Sequence, residues 1–228
     1  KGLNTSISFP ASHCTSCKVK IKWYYNIPLL GWIISKGKCF NCNEKISYQY
    51  PIIEFLNLLL WGSAYMIFGY SMDLLFILPM LSLGLVISTI DFNHKILMNG
   101  HAEIFGLIGL LYAAFGYSEL TSKESIVGSI SIFVIVYSFV VLYEKLKRVD
   151  YEMMGRGDFY MMGALTAWLG FEKGFEALIL ASFIGLILFA IKKAIKSKDE
   201  SMPFIPSLFI AFVILFFDIF QINIIPSI

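Results

Sequence analysis

Four cysteines lie within the first 50 residues, in two pairs with the same internal spacing. Each pair has the pattern C-x2-C, and 21 residues separate Cys14 and Cys17 from Cys39 and Cys42. A tight turn lets both thiolates of a pair bind one ion, and two pairs complete the four-sulfur tetrahedron that zinc prefers. We expect structural rather than catalytic zinc, because four thiolates leave no position open for water. Disulfides and a redox dithiol are the alternatives.

Two aspartates stand at the edges of apolar segments. Asp91 follows the run Leu-Val-Ile-Ser-Thr-Ile, and Asp158 follows a turn that contains Gly155 and Gly157. Singly, Asp91 could mark the end of a helix in lipid and Asp158 could be a helix N-cap. Together they favour acid–base chemistry, because two close carboxylates share one proton. The ionised partner can deprotonate water and the protonated partner can donate to a carbonyl oxygen, as in an aspartic protease.

The elements that carry these residues are long apolar segments. Hydrophobic residues make up 57% of the 228 residues and charged residues only 15%, against about 25% charged in an ordinary soluble domain. A soluble globule and a disordered chain are therefore both excluded. A spanning helix needs about 20 mostly apolar residues, and helices are the elements that satisfy their own backbone in lipid. The sequence predicts an all-α polytopic membrane protein with seven transmembrane helices, at 52–69, 74–90, 102–117, 126–143, 159–172, 176–191 and 204–220.

The basic residues are divided very unequally by this topology. Sixteen Lys and Arg fall in segment 1–50 and in the loops that share its side, and only Lys123 and Lys173 fall on the other. The positive-inside rule places the sixteen in the cytoplasm, where reducing conditions favour zinc over disulfides. We expect a cytoplasmic zinc-binding segment at 1–50 and a transmembrane domain at 51–228. The membrane flanks account for the basic charge, so no nucleic acid partner is expected.

Seven short segments occur in order between residues 12 and 210. They are 12–17 and 37–42 around the cysteines, 26–30, 50–54, 91–95 after the first aspartate, the Gly-Arg-Gly-Asp of 155–158, and 202–206. As an ordered set they resemble the type IV prepilin peptidases, a family of membrane aspartyl proteases with a Gly-x-Gly-Asp motif. The resemblance covers most of the chain.

The resemblance implies an enzyme of the bacterial inner membrane whose active site and cysteine segment face the cytoplasm. Such enzymes remove a short basic leader from type IV pilin and pseudopilin precursors after a glycine. By position, Asp91 and Asp158 would be the catalytic pair, supported by Gly155 and Gly157. Members with the cysteine pairs also methylate the new N-terminus with S-adenosylmethionine. No glycine-rich loop after a strand is present to indicate where that cofactor binds.

Four further acidic residues are candidates. Glu54, just inside the first span, could bind a cation, the new amine or the substrate, or make an interface hydrogen bond. Glu44, Asp150 and Glu152 are the acidic contacts available to a basic leader. Two alternatives to the aspartyl protease remain. A zinc metalloprotease would need an open metal position, and the sequence has no H-E-x-x-H. A non-enzymatic zinc-knuckle scaffold for pilus or secretion assembly would not need the aspartates.

Overall fold

The regular elements of the protein are helical, as the sequence predicts. The computed structural model describes residues 12–97, 100–148, 154–194 and 202–224, and the side chains of all but the last five of these. The elements are a 3-10 helix (Trp23–Asn26), α1 (Leu30–Ile34), α2 (Gln49–Phe68), α3 (Leu74–His94), α4 (His101–Ala114), α5 (Ser122–Lys147), α6 (Arg156–Ala194) and α7 (Ile205–Ile224). Two isolated β-bridges, His13–Lys20 and Lys38–Lys45, are the extended pairings in these residues.

The chain divides into two compact units, Lys1–Gly62 and Ser63–Ile228. The first contains both cysteine pairs, α1 and most of α2, and the second contains α3 to α7. The division expected from the sequence, at residue 50, lies at the start of α2 and stays a prediction.

Four helices are long and apolar enough to cross a membrane: α2, α3, α5 and α6. Two shorter apolar helices accompany them, α4 and the described part of α7. Every one of the seven predicted spans overlaps an apolar helical segment. Membrane character is therefore established by helix length and composition, while the seven-span topology stays a prediction.

The helix α6 is 39 residues long and folds back on itself at Gly170. Gly170 has φ 73° and ψ −178°, far from helical values, and positive φ is a conformation that glycine adopts without steric cost. A Cβ atom on Gly174 would collide with the side chain of Thr166, whereas eight residues of straight helix would separate them by about 12 Å. The arms 156–169 and 171–194 thus correspond to the fifth and sixth predicted spans.

The helices of the second unit approach one another closely at glycines. A Cβ atom on Gly128 would lie 2.9 Å from the backbone nitrogen of Phe171, and one on Gly106 would lie 3.2 Å from the Cα atom of Ala164. Side chains also donate to the backbone of neighbouring helices, as Ser129 Oγ does to the Gly163 carbonyl oxygen at 2.7 Å. Small residues and interhelical hydrogen bonds are the usual means of packing where lipid removes the hydrophobic drive.

We predict that Gly128→Leu destabilises the protein and Gly62→Leu does not. The leucine at 128 meets the backbone at the bend of α6, which cannot move as a flexible side chain would, and overpacking of this kind costs about 1–3 kcal/mol. Gly62 is also helical, but it is exposed, and a Cβ atom there would meet nothing within 4 Å. Thermal unfolding of both variants in detergent measures the difference. Equal midpoints for the two variants would contradict the close contact.

Candidate functional site

The two cysteine pairs are built on two turns of the same construction. In the first, the N–H of Cys14 donates to the Val19 carbonyl at 3.0 Å, and the N–H of Lys18 donates back to Cys14 at 3.0 Å. Lys18 has φ 58°, so the chain reverses within a few residues. The backbone N–H groups of such a turn point towards the thiols and position both of them on one side.

The second turn repeats the first, 25 residues further along the chain. The N–H of Cys39 donates to the Glu44 carbonyl at 2.8 Å, and the N–H of Asn43 donates to Cys39 at 3.0 Å. Asn43, the counterpart of Lys18, has the same φ of 58°. Sequence analysis found the C-x2-C pairs but not this repeat. The dipeptide Lys-Ile recurs at the same distance after each pair, at 20–21 and 45–46, and it was the signal that could have revealed the repeat.

The four sulfur atoms meet in one cluster. Cys14 Sγ lies 3.8 Å from Cys42 Sγ, and Cys17 Sγ lies 3.9 Å from Cys39 Sγ. All four thiols are free, and their sulfur atoms lie within 4.8 Å of one another. A tetrahedral ion with sulfur ligands at about 2.3 Å sets its ligands about 3.8 Å apart. The cluster therefore fits a four-coordinate metal ion and can bind one.

The environment of the thiols also suits a metal. Backbone N–H groups of their own turns lower the pKa of Cys14, Cys17 and Cys39. At Cys42 the N–H of Glu44 lowers the pKa, but desolvation and the three neighbouring thiols raise it, to about 12. Three thiols thus favour the thiolate that a metal requires, and a cation displaces the proton that the fourth retains.

Glu54, in the second turn of α2, has a partner in the same unit. Its Oε2 atom accepts the backbone N–H of Leu29 at 2.7 Å. The roles that the sequence left open for Glu54, the binding of a cation, the new amine or the substrate and an interface hydrogen bond, stay predictions. Glu44 is exposed at the second cysteine turn. Asp150 and Glu152 lie outside the described residues.

Asp91 occupies the last turn of α3 and accepts a hydrogen bond from another helix. The side chain is 7% exposed, and its Oδ2 atom accepts the N–H of Ile205 at 3.1 Å. Ile205 is the first residue of α7, whose N–H has no partner within its own helix. The carboxylate thus lies at the positive end of the α7 dipole. Sequence analysis did not identify this partner, which is 114 residues away.

Asp158 lies in the first turn of α6, on the turn that the two glycines form. Its N–H donates to the Gly155 carbonyl at 3.0 Å. A Cβ atom on Gly157 would lie 2.6 Å from the side chain of Leu97, so the start of α6 lies against the segment that leaves α3. Glycine at 157 permits this approach.

The two aspartates lie on helix ends that meet. Asp91 accepts the first N–H of α7, and Gly157, directly before Asp158, lies against Leu97, three residues beyond the end of α3. The structure therefore gathers two carboxylates that are 67 positions apart in sequence at the junction of α3, α6 and α7. Such an arrangement has the chemical capacity for acid–base work on a shared substrate.

A groove of about 550 Å³ begins close to this point, between α4, α5 and the first arm of α6. Tyr160, two residues beyond Asp158, lines it together with apolar side chains, among them Leu107, Ile130 and Phe133. Glu103 stands at its edge and is exposed. The groove can accept an apolar segment, and sequence analysis did not find it because it belongs to three separate helices.

Comparison with known proteins agrees with this architecture. Residues 3–68 match the bacterial peptidase A24 N-terminal domain, and residues 76–190 match the type IV leader peptidase family. The prepilin leader peptidase/N-methyltransferase of Klebsiella pneumoniae is 34% identical over 80% of this chain and 78% of its own length. That of Vibrio cholerae is 31% identical over 91% of this chain and 81% of its own length. No solved structure matches the chain.

The chain belongs to the type IV leader peptidase family. The resemblance noted in the sequence is thereby confirmed.

We predict that the purified protein contains one metal ion per chain, held by the four cysteines. Replacing one ligand, as in Cys39→Ser, weakens metal binding by more than about tenfold. Ser16→Ala changes an exposed residue of the first cysteine turn that supplies no ligand, and it should retain the full metal content. Elemental analysis of protein purified without chelator gives the ratio. A wild-type protein that takes up no zinc under reducing conditions would contradict the assignment.

Proposed function

We propose that this protein is a membrane aspartic endopeptidase that removes the basic leader of type IV pilin and pseudopilin precursors. Cleavage follows a glycine at the cytoplasmic face of the bacterial inner membrane. The observation that carries the proposal is the junction of α3, α6 and α7, which holds Asp91 and Asp158 on helix ends far apart in sequence. The printed names of the relatives, prepilin leader peptidases, support the substrate class.

The proposed reaction is peptide-bond hydrolysis by Asp91 and Asp158, which hold one proton between them. We assign the ionised role to Asp91, because the α7 N-terminus and the Ile205 N–H favour a negative charge there. Asp91 takes a proton from a water molecule, whose oxygen attacks the carbonyl carbon of the peptide bond. Asp158 donates its proton to the carbonyl oxygen. Collapse of the tetrahedral intermediate breaks the C–N bond: one of its hydroxyl groups returns a proton to Asp158, and the leaving amine takes up the proton from Asp91, so the pair again holds one proton.

The surroundings of the pair suit such a substrate. The groove that starts at Tyr160 offers apolar walls to the segment beside the scissile bond. Glu103, which lines the groove, is an exposed acidic side chain for a basic leader, and Glu44, Asp150 and Glu152 remain proposals for the same role. Glu103 was not among the sequence candidates.

Zinc is proposed as a structural ion of the first unit. Cys14, Cys17, Cys39 and Cys42 would hold it, and it would supply the cross-link that a segment with a small apolar core lacks. Four thiolates close the coordination shell, which argues against a zinc metalloprotease. Transfer of a methyl group from S-adenosylmethionine to the new N-terminus is a second proposed activity. The names of the relatives support it, and its site is not assigned.

We predict that Asp91→Asn and Asp158→Asn each reduce cleavage of a prepilin-like peptide by about 10²-fold or more, because each removes an acid–base group. Asparagine at 91 still accepts the Ile205 N–H, so the thermal midpoint in detergent stays near that of the wild type. Asp218→Asn is the matched control, since Asp218 is an exposed aspartate on α7, and it should cleave normally. Mass spectrometry of the products measures all three variants.

Two outcomes would contradict the proposal. Normal cleavage by either Asn variant at position 91 or 158 would remove the aspartyl mechanism and leave the scaffold as the alternative. Loss of cleavage immediately on chelation, with the fold intact, would favour the metalloprotease.

A further inference from the structure

We infer that the short helix α1 is an interfacial anchor, which holds the cysteine unit on the lipid surface beside α2. Four apolar residues, Ile27, Leu30, Ile33 and Ile34, form what we call the interfacial edge. The edge embeds at the boundary between headgroups and acyl chains, and the lysines around it contact anionic headgroups. The inference requires that α2 crosses the membrane, and it does not depend on the proposed peptidase activity.

One face of α1 is used for packing and the other is exposed. Gly31 is buried against the backbone of Tyr25, and Trp32 Nε1 donates to the Ile46 carbonyl at 3.3 Å. Leu30, Ile33 and Ile34 follow the i, i+3, i+4 spacing of a single helix face. The residues on that face are 53%, 62% and 55% exposed. Branched apolar side chains exposed side by side mark a surface that another apolar phase covers.

The hydrogen bond of Glu54 determines which turn of α2 lies level with the exposed face of α1. Glu54 lies five residues beyond Gln49, where α2 begins, which is about 7.5 Å of helical rise. Its carboxylate accepts the N–H of Leu29, the residue directly before α1. Leu29 has φ 62°, a conformation that leucine rarely adopts. The start of α1 is therefore held level with the second turn of α2 at the expense of backbone strain.

At that level α2 already presents apolar surface outward. Ile52 and Phe55 are 56% and 50% exposed, and α2 is apolar and long enough to cross a membrane. Interfacial helices bury their apolar face about 5–10 Å into the headgroup and acyl boundary, a depth that the second turn of α2 reaches when the helix enters lipid near Gln49. The interfacial edge and the exposed side of α2 thus enter the same layer.

The charge of the unit fits an anionic lipid surface. Residues 12–48 contain six lysines, all exposed, and a single acidic residue, Glu44. The lysines are Lys18, Lys20, Lys22, Lys36, Lys38 and Lys45. Lysines next to a membrane span are attracted by anionic headgroups over roughly one Debye length. An acidic protein would satisfy the lysines too, but the fixed height of the edge beside α2 favours lipid.

Depth-dependent fluorescence quenching tests the inference. The full chain, carrying one environment-sensitive fluorescent amino acid at Ile33, is reconstituted into vesicles that contain phosphatidylglycerol. The matched control carries the same amino acid at Thr15, an exposed polar residue of the first cysteine turn. Lipids brominated in the acyl chains should quench position 33 at least about twofold more than position 15, and aqueous iodide should do the reverse. Lipid without net charge should weaken the difference.

Variants of Glu54 separate anchoring from general misfolding. Glu54→Leu removes the acceptor for Leu29 and should reduce lipid quenching at position 33, whereas Glu54→Gln keeps an acceptor and should restore it. Metal content near one ion per chain verifies that the unit is folded in every sample, and Leu30 provides a second labelling position. Equal iodide quenching at positions 33 and 15 would overturn the inference. So would protection of position 33 from both quenchers, which would indicate a protein cover.

Discussion

The hydrogen bond from the Ile205 N–H to the Asp91 carboxylate joins the end of α3 to the start of α7. A buried helix N-terminus and a buried carboxylate each need a polar partner, because an unsatisfied polar group away from bulk water costs free energy. Each satisfies the other here, and both are placed where α6 begins. The position of Asp158 beside Asp91 depends on this junction together with the close approach of Gly157 to Leu97. The two aspartates are thus placed by a junction at which α3 ends and α6 and α7 begin.

A second constraint is that helices in lipid must associate without the hydrophobic effect that drives packing in water. Close packing at glycines and hydrogen bonds from hydroxyl side chains hold them together instead. Examples are the contact of Gly106 with Ala164 and the hydrogen bond from Ser129 to the Gly163 carbonyl. These contacts hold the first arm of α6 between α4 and α5, and they leave beside it the groove that starts at Tyr160. The elements that stabilise the bundle therefore also shape the surface next to the aspartates.

Local pattern was sufficient to predict much of this protein. The C-x2-C pairs predicted a four-cysteine cluster, since the ligands of each pair are neighbours in the chain. Long apolar runs predicted helices, and the two runs 159–172 and 176–191 predicted two arms in α6, although the bend lies at Gly170, inside the first run. In each case the information lies within a few residues.

The remaining features depend on contacts between distant residues, which spacing does not encode. Nothing near Asp91 indicates Ile205 as its partner, and nothing near Glu54 indicates the N–H of Leu29, because a backbone donor has no residue type. The groove could not be predicted either, since its walls come from α4, α5 and α6. The 25-residue repeat of the cysteine turns was visible in principle, but a lysine and an asparagine at the same left-handed position do not resemble each other by type.

Infrared spectroscopy of the full chain in lipid nanodiscs tests the proposal that Asp91 and Asp158 hold one proton between them. Wild-type minus variant spectra near neutral pH isolate the carbonyl stretch of a protonated carboxyl group. We expect one such band in the wild type, absent from Asp158→Asn, which removes the proton-bearing carboxyl group, and moved in frequency in Asp91→Asn, which removes the neighbouring charge. A band that survives both substitutions, or two bands that are lost independently, would contradict the shared proton.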